Sequence, residues 1–382
     1  MHYYRLLLMS LVMSFLSSCI STKKYTSALD FALASKDKRL TEVFKSEKDY
    51  QVQILFAEVN RTAETVNLKE YRYQVDDNNY FYPASTVKFP IAVMSLEQLN
   101  QKGIDYRTSY KLVSDTLVTS FKKSVEEIFA VSDNVAFNRL YEFLGKDYIN
   151  TTIHSKGIDQ FRIAHRLSTS NANRLERSSL VMNPNTTNEQ LLDFKNDHAS
   201  IPLTLKSIKK GMGYKYQEST IYEPFDFSLK NYYPITSQYE VLKRVIFPQL
   251  FESHQQFNLS EEQRNFLLKS MRSLPKEVGY DSKEYYDSYG KFFLFGDSKK
   301  PIPKQFKIYN KVGYAYGTLT DCAYITDSKT GVEFILIATI LVNDNQVFND
   351  NDYQYDELGI PFLSALGKEI YRFEKKRMRT MK

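Results

Sequence analysis

Tyr82-Pro83-Ala84-Ser85-Thr86-Val87-Lys88-Phe89-Pro90-Ile91-Ala92-Val93-Met94 sets a small hydroxyl and a lysine three residues apart at the head of an apolar helix. Spacing of i and i+3 puts both side chains on one helical face. A serine hydroxyl is a weak nucleophile until a neighbouring base takes its proton, and a desolvated lysine can be that base. Ser85 is therefore the candidate nucleophile and Lys88 its partner. Pro90 falls near the first turn, where amide hydrogens have no intrahelical acceptor, so it fits a helix that starts close to Ser85 and runs to about Asn100. The spacing alone carries little information, because it recurs at Ser21, Ser35, Ser120, Ser207, Ser273 and Ser288. A helix start with an apolar body behind it sets Ser85 apart.

Towards the N-terminus, residues 51–59 read as a strand, and residues 25–48 carry Leu29, Phe31, Leu33, Leu40, Val43 and Phe44 at spacings that suit one or two helices. Towards the C-terminus, residues 124–145 are helical in pattern but hold the polar triplet Ser132-Asp133-Asn134. Residues 155–235 are loop-rich and give no assignable element. Helix returns at 239–250 and 261–274, the second introduced by a Ser260/Gln263 capping box. Residues 306–312, 322–326 and 332–342 read as three strands joined by turns at 313–317 and 327–331, and 358–377 as a terminal helix. One early strand, a helical middle and several late strands predict an α/β (α+β) fold whose sheet is assembled from both chain ends, with helices inserted between.

The 382 residues suffice for a large core. Net charge is +6, but 51 basic residues are interspersed with 45 acidic ones, so no nucleic-acid stripe is present and no nucleic-acid partner is expected. The run Lys375-Lys376-Arg377-Met378-Arg379 reads as a solvated helix end. The five histidines lack metal-ligand spacing, so neither a metal nor another cofactor is expected. His165, in Ile163-Ala164-His165-Arg166-Leu167, reads as a structural polar residue in preference to a cleft residue. A weakly positive start, an apolar run over 6–15 and Leu16-Ser17-Ser18-Cys19 make residues 1–18 a secretory signal. The last four residues resemble a bacterial lipobox, which implies cleavage before Cys19, a lipid on its sulfur and attachment to the cell envelope, on the periplasmic side or the cell surface. Residues 19–48 then form a tether and N-terminal helix. Cys322, inside an apolar strand, reads as a buried small hydrophobe.

Ser-x-x-Lys opening a helix, Ser132-Asp133-Asn134 47 residues on, and Lys311-Val312-Gly313 closing a strand ahead of a Gly-rich turn follow one order. That order resembles the penicilloyl-serine transferase superfamily, and class A β-lactamases in particular. The resemblance spans roughly residues 50–345 and implies one β-lactamase/transpeptidase-like domain over 49–382. Its sheet lobe would hold about 49–80 and 290–382, and an inserted all-helical lobe about 81–289. It implies that Ser85 is acylated, that Lys88 takes or relays its proton, and that Ser132 passes a proton to the leaving nitrogen. Asn134 would hydrogen-bond the substrate's amide side chain, Lys311 would supply positive charge to Ser132 and a substrate carboxylate, and the backbone amides of Ser85 and Tyr314 would form the oxyanion hole. Gly313 would let substrate approach the edge strand closely.

Two departures stand out. Val312 replaces the hydroxyl residue usual after that lysine, and no E-x-x-L-N segment supplies a glutamate for the deacylating water. The nearest substitutes are Glu189, in Glu189-Gln190-Leu191-Leu192-Asp193, and Glu176. Three functions follow: a lipid-anchored monomeric serine hydrolase acting on a β-lactam or related amide; a D-alanyl-D-alanine peptidase or transpeptidase-like enzyme, acting on peptidoglycan-like peptides, that deacylates slowly; or a noncatalytic envelope binding protein.

Overall fold

A computed structural model describes residues 25–46, 49–62 and 64–380. The predicted export segment 1–18, Cys19 and residues 20–24 of the tether lie outside them. The chain enters through two helices, α1 (Ala28–Leu33) and α2 (Lys38–Phe44). Each has its own cap: Ser27 Oγ accepts from Asp30 N at 3.0 Å, and Asp37 Oδ1 from Arg39 N at 3.0 Å.

Strands β1 (Gln53–Arg61) and β2 (Val66–Tyr73) form a hairpin, and the far end of the chain supplies β3 (Phe306–Ala315), β4 (Thr318–Asp327) and β5 (Val332–Leu341). They make one antiparallel sheet in the order β3-β4-β5-β1-β2, with Ala57 opposite Ile335 and Gly313 opposite Thr320. Strand β3 is thus an edge. Side chains alternate across a strand, so Leu55, Ala57 and Val59 enter one core while Ile54 and Phe56 enter another. The first core lies under helices α3 (Lys88–Gln101), α4 (Phe121–Ala130), α5 (Asn134–Leu144), α6 (Lys146–Ser155), α7 (Ile235–Ile246) and α8 (Glu261–Arg272). The second is covered by α1, α2 and the terminal helix α9 (Ile360–Thr380). A smaller aromatic cluster of Tyr80, Tyr82, Phe227, Tyr232 and Phe348 sits beside Tyr316.

Two sequence expectations need correction. The inserted segment is not all-helical: Ser109–Leu112, Thr119–Ser120, Leu180–Met182 and Gln190–Leu192 form a small antiparallel sheet, and Gly213–Tyr216 pairs with Ser219–Ile221. Strands of two to four residues are too short to show a period of two. The helix expected over 124–145 is two helices, because Ser132 adopts φ +60°, a left-handed backbone no helix contains. Strand β2 shows no clean period of two, because its apolar residues change face at Lys69-Glu70: Val66 and Leu68 pack against the first core, Tyr71 and Tyr73 against the second.

Candidate active site

The turn Ala84–Val87 carries Ser85 into α3. Thr86 tightens it, donating to Pro83 O from its backbone N (3.1 Å) and its Oγ1 (2.6 Å). Ala84, just before the serine, has φ +47°, a conformation that costs a non-glycine residue about 1–3 kcal/mol and persists only where surroundings impose it. Ser85 is half-buried, and its hydroxyl makes no hydrogen bond among the described residues. It opens into a cleft of about 840 Å³.

Lys88, one turn on, is fully buried. Its Nζ donates to Asn134 Oδ1 at 2.6 Å, to Ser132 Oγ at 3.3 Å and to the Ser132 carbonyl. Burial penalises the ammonium and brings its pKa down to about 7, against the opposing pull of Asp133. Lys311 arrives from β3 on the other side, and its Nζ donates to Ser132 Oγ at 2.8 Å and to Val312 O at 2.7 Å. Burial first, then the charges of Lys88 and Lys291, push Lys311 well below the lysine range, while Asp321 pulls it up. One hydroxyl thus accepts from two lysines of weakened basicity, which frees its own proton for a third partner.

The Ser132 triplet is placed by the break between α4 and α5. Asp133 caps α5, its Oδ1 accepting from Ala136 N at 2.6 Å. Asn134 is held from both ends, its Nδ2 donating to Ser168 Oγ at 3.0 Å. Sequence reasoning missed the support behind Lys311. There, Lys291 Nζ donates to Asn310 Oδ1 (2.6 Å) and Met271 O (2.8 Å), while Asn310 Nδ2 donates to Asp321 Oδ1 (2.8 Å). Burial raises Asp321 to about 6. Lys291 and Asn310 belong to no motif, and only folding brings them to Asp321 behind Lys311.

Gly313 also meets a packing requirement inside the protein. A Cβ there would meet Pro83 O at 2.7 Å and the amide nitrogens of Ser85 and Thr86 at 2.8 Å. The nucleophile turn thus approaches β3 closely at Gly313, with Ser85 N against it. Val312 belongs to the strand that walls the cleft, but its buried, apolar side chain packs into the second core with Ile308 and Leu319.

The two glutamates suggested for water activation do not reach the cleft. Glu189 is exposed and its Oε2 accepts from Asn185 N at 2.7 Å; Glu176 is exposed as well. Both follow α6 in a segment that turns to the surface. The cleft-lining carboxylate among the described residues is Asp133, committed to its cap. His165, in contrast, does line the cleft. Its Nδ1 lies 2.6 Å from Arg166 O, its ring stacks on Tyr82, and burial holds it down to about 4 and hence neutral.

Residues 35–194 match a family model described as the Beta-lactamase enzyme family, a span that holds Ser85, Lys88 and the Ser132 triplet and ends before Lys311. No curated protein matches the chain. Solved structures do. A β-lactamase from Sphaerobacter thermophilus DSM 20745 is 12% identical over 91% of this chain and 96% of its own, with a TM-score of 0.52. A β-lactamase from Xanthomonas campestris pv. campestris gives 13%, 91%, 98% and 0.52, and one from Desulfarculus baarsii DSM 2075 gives 16%, 90%, 98% and 0.51. At such identities the likeness shows the fold, a mixed α/β arrangement of antiparallel sheet and helices of the β-lactamase kind.

Proposed function

We propose that the chain is a serine acyl-transfer hydrolase whose Ser85 is acylated by a β-lactam or related amide. The observation that carries this reading is the Ser132 hydroxyl, held by Lys311 at 2.8 Å and Lys88 at 3.3 Å beside an uncommitted Ser85. In the proposed step Ser85 Oγ attacks the carbonyl carbon and its proton passes to Lys88. The oxyanion collects at the amides of Ser85 and Tyr314, and the C–N bond breaks as Ser132 delivers its proton to the leaving nitrogen and takes one back from Lys88, whose Nζ lies 3.3 Å from its Oγ. Asn134 hydrogen-bonds the substrate's amide side chain.

The test is intact-protein mass spectrometry during incubation with benzylpenicillin. An adduct absent from Ser85→Ala supports the reading. No adduct, together with no hydrolysis of a chromogenic cephalosporin, overturns it in favour of a noncatalytic envelope binding protein.

A second reading is favoured by the position of Glu176 and Glu189 away from the cleft. Without a carboxylate to activate water, the acyl-enzyme hydrolyses slowly, as in a D-alanyl-D-alanine peptidase of the cell wall, and the adduct is then long-lived. Under either reading the protein is exported and held at the envelope by a lipid on Cys19. Metabolic labelling with a fatty acid, lost in Cys19→Ser, checks that anchor.

A further inference from the structure

We propose that Lys230 anchors an anionic group on the acyl side of the substrate, so that the preferred substrates are amides whose acyl portion carries a carboxylate. The inference rests on the reading of Ser85 as the acyl acceptor. In that reading the leaving nitrogen lies towards Ser132 and Lys311. The acyl portion therefore runs the other way along β3, past Tyr314 to Tyr316, roughly 7 Å further at strand rise.

Lys230 stands at that end of the cleft. Its Nζ lies over the Phe225 ring at 5.8 Å, and Phe225 stacks on Tyr316 with centroids 5.4 Å apart. Its backbone is fixed, its N–H donating to Phe227 O at 2.9 Å and its carbonyl accepting from Arg162.

The other cations of the cleft wall are already committed. Lys311 is bound to Ser132 and Val312. Arg166 donates from Nε to Glu142 at 2.6 Å, and from its terminal nitrogens to Arg174 O at 2.7 Å and Glu176 O at 2.8 Å. Among the described residues no acid or carbonyl pairs with Lys230 Nζ, and the cleft's carboxylate, Asp133, caps α5 beside Ser132 at the other end. Burial alone pushes the Lys230 ammonium below its ordinary range, with no anion to hold it up. A desolvated, unpaired cation facing a ligand cavity is a vacancy for an anion. No short-range sequence signal marks it, because Lys230 is 145 residues from Ser85.

Benzylpenicillin and carboxybenzylpenicillin share the ring carboxylate and differ by one carboxylate on the acyl side chain, which makes them the discriminating pair. Second-order acylation of the wild type, read as adduct mass against time, is expected to favour carboxybenzylpenicillin by about tenfold, the scale of one charge-assisted hydrogen bond. Lys230→Gln should abolish that preference, Lys230→Arg should keep it, and Lys230→Glu should invert it. Calorimetric binding of both compounds to Ser85→Ala protein, with and without Lys230→Gln, reads the same preference without chemistry. A preference equal in wild type and Lys230→Gln, or no binding of carboxybenzylpenicillin to Ser85→Ala, overturns the assignment. Absence of any adduct on the wild type while Lys230-dependent binding persists overturns the acyl-transfer reading and leaves the anion site standing.

Discussion

Lys88 can take the Ser85 proton only while its own amine is uncharged. With its pKa brought down to about 7, the uncharged fraction rises about tenfold between pH 6 and pH 8. The rate of Ser85 adduct formation with benzylpenicillin is expected to rise in proportion and level off above pH 8. Lys88→Arg, which stays charged, should be nearly inert at every pH. A midpoint near the ordinary lysine value would mean that burial does not tune this residue. Gly313 gives a second expectation at this scale. A Cβ there meets three backbone atoms closer than 3 Å, and backbone yields less readily than a side-chain tip. Gly313→Ala should therefore destabilise the fold by about 1–3 kcal/mol. It should also slow acylation by about 10²-fold through displacement of the Ser85 amide, read by thermal melting and adduct kinetics. The motif residues were legible because their chemistry is written in residue type and order. Gly313 was legible as a required glycine, but its packing against the nucleophile turn was not. The atoms it avoids belong to a turn some 230 residues earlier, on the order of the full β3-to-β1 crossing of the sheet.

Helix α5 shows how an element can be readable as a helix and opaque as a support. Asn134, Asn138 and Glu142 repeat at i, i+4 and i+8 and so share one face. All three hold the loop that walls the cleft. Asn134 Nδ2 reaches Ser168, and Asn138 exchanges bonds of 2.9 Å with the carbonyl and amide of Leu167. Glu142 accepts from Arg166 Nε at 2.6 Å and from Ser178 N at 2.8 Å. The Glu142–Arg166 pair is 3% exposed on both sides, so the partner left after truncation stays buried and unpaired. Glu142→Ala is expected to cost about 3–5 kcal/mol in chemical denaturation, and Glu142→Gln, which keeps acceptor and shape, less. Acylation should fall further in the alanine variant, because the loop carrying His165 to Ser168 loses its tie. Elements with strong local signals were legible, such as α8, whose Ser260/Gln263 capping box is present in full. The segments that cap and wall the cleft were not, since their stability comes from side chains of α5 and not from any pattern of their own.

At the scale of the molecule, the sheet separates two cores, and neighbouring residues of β1 report on different ones. Leu55 enters the core beneath α3, shared with Val87 of the nucleophile turn and Ile91 of α3. Phe56 enters the opposite core, where it packs on Tyr71 and Phe334 at 5.8 and 6.1 Å. Both side chains are fully buried, so both truncations leave cavities. Leu55→Ala should cost about 2–5 kcal/mol and Phe56→Ala about 3–5 kcal/mol. The effects on chemistry should nevertheless diverge. The cavity at Leu55 lies under the helix that presents Ser85 and Lys88, and relaxation there shifts the nucleophile relative to β3. The cavity at Phe56 lies beyond the sheet, against the α1, α2 and α9 side, and the sheet stands between it and the cleft. Adduct formation measured at 15 °C, where both variants remain folded, is therefore expected to slow in Leu55→Ala and to stay near wild type in Phe56→Ala. Equal slowing in both would mean that the two cores respond as one body, and that the far layer shapes the active site as much as the near one.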